Sequence, residues 1–199
     1  GALYDYSQFG IQDEPLPSQS LQAGADVVLF SGDKLLGGPQ CGILIGKREA
    51  LEKISTHPMM RALRLDKTIL AALSATLDLY LGPDPTQSVP ILQLISTPLE
   101  ELQTRAESLA ESISEISDYT ATAMEDVTYL GGGSVPTQEI ETWSVSIKHA
   151  QRSDDELSLQ LRTSATPVLG RIRQNEFKLD LRSVFPHQDQ LILEAFQNI

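Results

Sequence analysis

Two short apolar runs that flank a glycine-containing loop constrain the fold of this chain more than any other feature. The first run, residues 27–30 (VVLF), is continuous, and the second, residues 42–46 (GILIG), is bounded by glycines. Apolar runs of this length without polar alternation predict strands buried on both faces. We therefore expect a strand, a loop over residues 31–40 and a second strand, an arrangement typical of α/β proteins.

Helical patterns follow the two strands. Residues 47–54 predict a short helix, and residues 66–81 predict a longer one with leucines and isoleucine on a single stripe. Glycine and proline at 82–85 end this helix. We place a domain boundary here, which gives a first domain over residues 1–85 and a second over residues 86–199.

The second domain has the pattern of a smaller α+β unit. Helices are expected from residue 98 to about residue 116 and over residues 187–196. Residues 127–130 and 143–147 predict strands, and residues 168–172 and 177–181 predict a hairpin. Ser153 and Glu156 have the spacing of a capping box at the start of another helix.

Charge and cysteine content limit the possible partners and compartment. The formal net charge is −12, a surface that repels nucleic-acid backbones outside a local basic patch. The densest basic stretch, Arg61, Arg64 and Lys67, is too short for a binding stripe, so most contacts with any nucleic acid must come from elsewhere. The single cysteine, Cys41, favours a reducing compartment, and we expect the cytoplasm. Its apolar neighbours predict a small buried residue.

The loop after the first strand contains residues suited to covalent cofactor chemistry. A lysine that forms a Schiff base needs a fixed position and an amine that loses its proton readily, and Lys34 follows a strand closely. Ser31 could bind a cofactor phosphate, and the amides of Gly37 and Gly38 could approach an anion without steric hindrance. The local pattern alone fits a solvated surface lysine as well.

Two other motifs fit this loop poorly. In the phosphate-binding loop G-x-x-x-x-G-K-[ST] the lysine follows the glycines, whereas here it precedes them. Ser31 and Lys34 match the S-x-x-K pattern of penicillin-binding enzymes, but the chain contains neither S-D-N nor K-T-G. Neither of these two motifs accounts for the residues of the loop.

Residues 25–40 (ADVVLFSGDKLLGGPQ) resemble the cofactor-lysine segment of the bacterial selenocysteine synthase family, the L-seryl-tRNA(Sec) selenium transferases. The similarity continues in the same order through four further blocks. They are residues 61–67 (RALRLDK), 131–136 (GGGSVP), 167–172 (PVLGRI) and 179–182 (LDLR).

The resemblance implies a fold-type-I, aminotransferase-like enzyme that uses pyridoxal 5′-phosphate (PLP), with Lys34 as the residue that holds the cofactor. Seryl-tRNA(Sec) would lose water and receive selenium from selenophosphate, and the enzyme would be a homo-oligomer. The family places residues 1–85 in the large PLP-binding domain and residues 86–199 in the small domain. It is also longer than this chain, so we expect these 199 residues alone to lack a complete pocket.

Three arginines complete the candidate site. Arg61 and Arg64 are three residues apart, which on a helix puts both on one face, and the family uses arginines here to bind selenophosphate. A solvated pair near Asp66 is the alternative. Arg171 lies where related enzymes bind a substrate carboxylate, although an ion pair within the domain explains it equally well.

Two other functions remain open from the sequence. A related PLP enzyme could act as a lyase or transferase on a small free amino acid. A non-catalytic assembly module, with Lys34 merely exposed, is the third possibility. Attachment of PLP to Lys34 would exclude the module, and binding of serylated tRNA(Sec) would separate the first two.

Overall fold

The computed structural model describes residues 2–12, 14–131 and 138–199. The chain forms two compact units. The first contains Gly1–Ser96 with Tyr129–Gln138, and the second contains Thr97–Thr128 with Glu139–Ile199. Residues 86–96, which we assigned to the second domain, lie in the first unit. The predicted block at residues 131–136 falls outside the described residues except for Gly131.

The first unit combines a two-stranded sheet with short helices. Its elements are α1 (Pro17–Gln22), β1 (Val27–Ser31), β2 (Gly42–Gly46), α2 (Arg48–Ser55), α3 (Met60–Leu63), α4 (Lys67–Tyr80), α5 (Pro85–Ser88) and α6 (Pro90–Ser96). A 3-10 turn, Tyr6–Phe9, precedes them. β1 and β2 pair antiparallel in register from Val27 opposite Gly46 to Ser31 opposite Gly42. The predicted strand, loop and strand are confirmed.

Burial in this sheet differs from the prediction for β1. Phe30 is 8% exposed, whereas its neighbour Leu29 is 67% exposed. The prediction of a strand buried on both faces is therefore wrong for this chain. The reason is that no further layer of the described chain covers the side of the strand on which Leu29 lies.

Helix α4 forms where the apolar stripe predicted it. Asp66 caps it, because its Oδ1 accepts a hydrogen bond from the Ile69 amide at 2.9 Å. None of its residues is fully buried, and Leu70 is 52% exposed. Leu81, directly after the helix, is 84% exposed. The apolar stripe thus predicts the helix correctly, but the described residues do not cover its leucine side chains completely.

The second unit is a four-stranded sheet packed against helices. Its elements are α7 (Leu99–Ser114), β3 (Tyr119–Tyr129), β4 (Glu139–His149), α8 (Asp154–Thr163), β5 (Arg171–Arg173), β6 (Glu176–Asp180) and α9 (Asp189–Gln197). The sheet order is β3-β4-β6-β5, and β6 is antiparallel to both β4 and β5. Leu102, Ile113, Val145, Leu157 and Phe177, each 0% exposed, belong to its core.

Local signals predicted the helices and the hairpin of this unit, but not all strand bounds. β3 begins at Tyr119, ahead of the predicted start at residue 127, and β5 begins at Arg171 instead of residue 168. Ser153 caps α8, and Glu156 completes the capping box as expected. The hairpin of β5 and β6 turns at Gln174 and Asn175, whose φ angles are 55° and 59°. Two consecutive positive φ angles are typical of a two-residue hairpin turn that matches the strand twist. Among the described residues, no helix is both long and apolar enough to span a bilayer.

Candidate active site

Lys34 lies in the loop that joins β1 to β2. Its side chain is exposed, whereas the next two residues, Leu35 and Leu36, are 3% and 0% exposed. The carbonyl oxygen of Lys34 accepts a hydrogen bond from the Gly37 amide at 2.9 Å. Gly37 has a φ of +71°, a conformation that glycine adopts without steric cost. The backbone therefore turns directly after the lysine and leaves its amine accessible.

Backbone contacts close the base of this loop. The Gly32 amide donates to the Cys41 carbonyl at 2.9 Å, and the Gly38 amide donates to the Gly32 carbonyl at 2.8 Å. A Cβ atom at Gly32 would overlap Cys41 Sγ and lie 2.8 Å from the Pro39 carbonyl oxygen. Only glycine fits there without a shift of the loop. Cys41 is 8% exposed, which confirms the predicted buried residue.

Two tyrosine hydroxyls bind the carbonyls that follow Lys34. Tyr6 Oη donates to the Leu35 oxygen at 2.7 Å, and Tyr80 Oη donates to the Leu36 oxygen at 2.9 Å. Burial, with smaller contributions from Tyr80 and Glu14, raises the pKa of Tyr6. Burial also raises the pKa of Tyr80 to about 12. Both phenols are therefore protonated donors at neutral pH, a role that the sequence did not reveal.

The three residues predicted to bind the cofactor phosphate differ in what they offer. Ser31 ends β1, and its hydroxyl has no hydrogen-bond partner in the described part of the chain. The amides of Gly37 and Gly38 already donate to Lys34 and Gly32. A phosphate could use these amides only by displacing both bonds. The loop thus fits PLP in part: it supplies an amine and a hydroxyl, and its two glycine amides are engaged.

Arg61 and Arg64 do not share a helix as predicted. Helix α3 ends at Leu63, and Arg64 has an extended backbone with φ −64° and ψ 142°. The argument that three-residue spacing puts both guanidinium groups on one helix face is therefore wrong. Both side chains are exposed, and within the described ranges neither forms an ion pair. They are accessible to an anion, but the backbone does not fix them as a pair.

Arg171 belongs to an ion pair inside the second unit. Its Nη2 lies 3.0 Å from Asp180 Oδ2. The same carboxylate accepts a hydrogen bond from Thr142 Oγ1 at 2.7 Å and from the Arg182 amide at 3.1 Å. Asp180 is 8% exposed, and the Arg171 side chain is 37% exposed. The sequence did not identify Asp180 as the partner, although the ion-pair alternative for Arg171 anticipated such a contact.

A family model described as "SelA: L-seryl-tRNA selenium transferase" matches residues 1–185 of this chain. An L-seryl-tRNA(Sec) selenium transferase from Hyphomonas neptunium is 44% identical over 200 residues, which cover 100% of this chain and 43% of the relative. One from Alkaliphilus oremlandii is 38% identical over 201 residues, with the same coverage. The chain thus spans less than half the length of these curated relatives.

A solved structure gives a weaker similarity. L-threonine-O-3-phosphate decarboxylase from Porphyromonas gingivalis aligns with 98% of this chain and 52% of its own, with a TM-score of 0.37 and 12% identity. A similarity at this level does not assign a fold. The mixed α/β character of the chain follows from its own helices and strands.

Proposed function

The chain belongs to the L-seryl-tRNA selenium transferase family, and on this premise we propose that Lys34 holds PLP in an enzyme that makes selenocysteinyl-tRNA(Sec). The substrates are seryl-tRNA(Sec) and selenophosphate. Because the chain spans 43% of the relatives' length, this activity is proposed for a protein of family length. The observation that carries the proposal is the exposed side chain of Lys34 on a loop whose backbone is held by hydrogen bonds on both sides of the lysine.

The chemistry divides between the cofactor and residues of this chain. When bound, PLP withdraws electrons from the α-carbon of the amino acid joined to it. Lys34 holds the cofactor and moves the proton at the α-carbon of the seryl group. The Ser31 hydroxyl would donate a hydrogen bond to the cofactor phosphate. Overall, selenium replaces the β-hydroxyl oxygen of serine, and the phosphoryl group of selenophosphate leaves as inorganic phosphate.

Arg61 and Arg64 are proposed to bind the selenophosphate anion. Guanidinium groups bind phosphate-like oxygens with two parallel hydrogen bonds, and both side chains are exposed. Because the backbone does not fix them as a pair, a bound anion would have to bring the two groups together. For Arg171, substrate contact is a weaker proposal, because its guanidinium already pairs with Asp180.

The proposal also covers the fold, the oligomeric state and the cellular compartment. We assign the fold to the fold-type-I PLP transferases, with the first unit in the large domain and the second as the small domain. A homo-oligomer in the cytoplasm is the expected form. The amides of Gly37 and Gly38 remain candidates for the cofactor phosphate only if binding rearranges the loop.

The test uses a family-length protein that contains this chain, built where necessary by substitution for the matching 200 residues of the Hyphomonas neptunium relative. Reduction with borohydride after incubation with PLP should leave a pyridoxyl group on Lys34, located by peptide mass spectrometry. Lys34→Ala should abolish the label, with Lys67→Ala as a control on an exposed lysine outside the loop. Retention of the label in Lys34→Ala would contradict the assignment.

A second measurement identifies the substrate. A gel shift with serylated tRNA(Sec) should show binding by the family-length protein, and selenophosphate should then convert the seryl group. If PLP attaches to Lys34 while tRNA does not bind, the enzyme acts on a small free amino acid instead. If neither occurs, the protein is not an enzyme of this class.

A further inference from the structure

We propose that Tyr6 and Tyr80 are positioning residues for Lys34: their hydroxyls hold the backbone directly after the lysine and so fix where its amine stands. The inference rests on the proposed role of Lys34. It concerns two side chains that lie outside the loop and come from separate elements. Tyr6 opens the 3-10 turn Tyr6–Phe9, and Tyr80 is the last residue of α4.

The contacts converge on two consecutive carbonyl groups. The Leu35 oxygen accepts from Tyr6 at 2.7 Å, with a longer contact of 3.4 Å to Tyr80. The Leu36 oxygen accepts from Tyr80 at 2.9 Å. A carbonyl oxygen has two lone pairs and can accept from both phenols. The tyrosines therefore hold the peptide groups that join Leu35 to Leu36 and Leu36 to Gly37.

Burial protects the Tyr6 contact from water, and the Tyr80 contact is partly buried. Tyr6 is 1% exposed, and the side chains of Leu35 and Leu36 are 3% and 0% exposed. Water therefore cannot readily replace the Tyr6 hydroxyl at the Leu35 oxygen. The raised pKa values of both phenols keep them as donors across the neutral range. We therefore expect the buried leucine side chains and the tyrosine hydrogen bonds to restrict rotation of this segment.

The rest of the loop backbone is held by its own hydrogen bonds. The Lys34 carbonyl accepts from Gly37, and the Gly32 amide and carbonyl bond to Cys41 and Gly38. Because the backbone is held before and after Lys34, the amine can move only by rotation about the bonds of the lysine side chain. A displacement of about 1 Å at a reacting group costs on the order of 100-fold in rate, so this restraint bears directly on proton transfer.

The experiment compares Tyr6→Phe, Tyr80→Phe and the double variant in the PLP-loaded family-length protein. Tyr4→Phe is the matched control, because its hydroxyl has no hydrogen bond within the described chain. For the double variant we expect kcat to fall about 10- to 100-fold, with KM for seryl-tRNA(Sec) changed less than threefold. The pH midpoint of the visible cofactor absorbance should shift, because the amine environment changes. Tyr4→Phe should match the parent in each respect.

Several results would overturn the inference. Loss of thermal stability with an unchanged spectral midpoint and an unchanged kcat would leave the tyrosines as structural residues only. If the double variant fails to fold, the single variants decide, and both must shift the midpoint in the same direction. Failure of the proposed function has a different signature: Lys34→Ala would then retain the cofactor absorbance whatever the tyrosines do.

Discussion

Removal of the Asp180 carboxylate should destabilise the second unit far more than removal of its partner Arg171. Asp180→Ala leaves the buried Thr142 hydroxyl and the Arg182 amide without their acceptor, at about 1–1.5 kcal/mol each. The ion pair adds about 1 kcal/mol, discounted because the Arg171 side chain is 37% exposed. The expected loss is about 3–4 kcal/mol.

Arg171→Ala should cost only about 1 kcal/mol. Asp180 then keeps two of its three donors, and the charge of its buried carboxylate is still offset by the nearby Arg182 guanidinium. The difference between the two losses of unfolding free energy distinguishes Asp180, a carboxylate at the centre of a buried hydrogen-bond network, from Arg171 at the edge of that network.

Urea unfolding of the chain, followed by the fluorescence of Trp143, measures this difference. Trp143 is the only tryptophan and lies in β4, so its signal reports the second unit. With a slope of about 1.5 kcal/mol per M, Asp180→Ala should lower the midpoint by about 2–2.7 M and Arg171→Ala by about 0.7 M. Asp155→Ala, an exposed carboxylate on α8, should change it by less than about 0.4 M. Equal shifts for Asp180→Ala and Arg171→Ala would refute the reasoning.

Three further predictions follow from other contacts. Arg105→Ala should lower the free energy of unfolding by about 2–3 kcal/mol in the same assay, because the Arg105 side chain is only 11% exposed and donates two hydrogen bonds to Asp189. A loss below about 1 kcal/mol would contradict this prediction. Burial acts to raise the pKa of Asp126, but a backbone amide, Ser144 and nearby cations outweigh it and lower the pKa. The stability from this lowered pKa is present above the ordinary carboxyl range and is lost as pH falls through the folded pKa, so Ser144→Ala should reduce the acid dependence of unfolding; an unchanged dependence would argue against the assignment. Finally, the 199-residue chain alone should bind PLP weakly and show no turnover, because it spans only 43% of the length of its relative and its own loop offers the cofactor few free donors. Equilibrium dialysis measures the binding, and tight binding would contradict this prediction.

The sequence predicted features that depend on neighbouring residues. The capping box of Ser153 and Glu156 involves residues three apart, and the strands around Lys34 are defined by their own apolar runs. Both predictions are confirmed because the forces that decide them act within a few residues. The mixed α/β character follows for the same reason.

Features that depend on distant contacts could not be predicted in this way. Tyr6 and Tyr80 reach the loop across 29 and 44 residues of sequence, and a phenol bound to a backbone carbonyl has no motif. Exposure of Leu29 depends on which layers are present to cover the strand. Helix α3 ends at Leu63, so the spacing of the arginines gave the wrong geometry.

The incompletely buried apolar stripe of α4 has a consequence for the colloidal behaviour of the chain. At neutral pH a net charge of −12 makes molecules repel one another and opposes contact between exposed leucines such as Leu70 and Leu81. Near the sequence pI of about 4.6 that repulsion disappears while the apolar surface remains. Reversible self-association should therefore increase steeply as the pH approaches this value. Added salt should promote it even at neutral pH, because screening shortens the range of the repulsion.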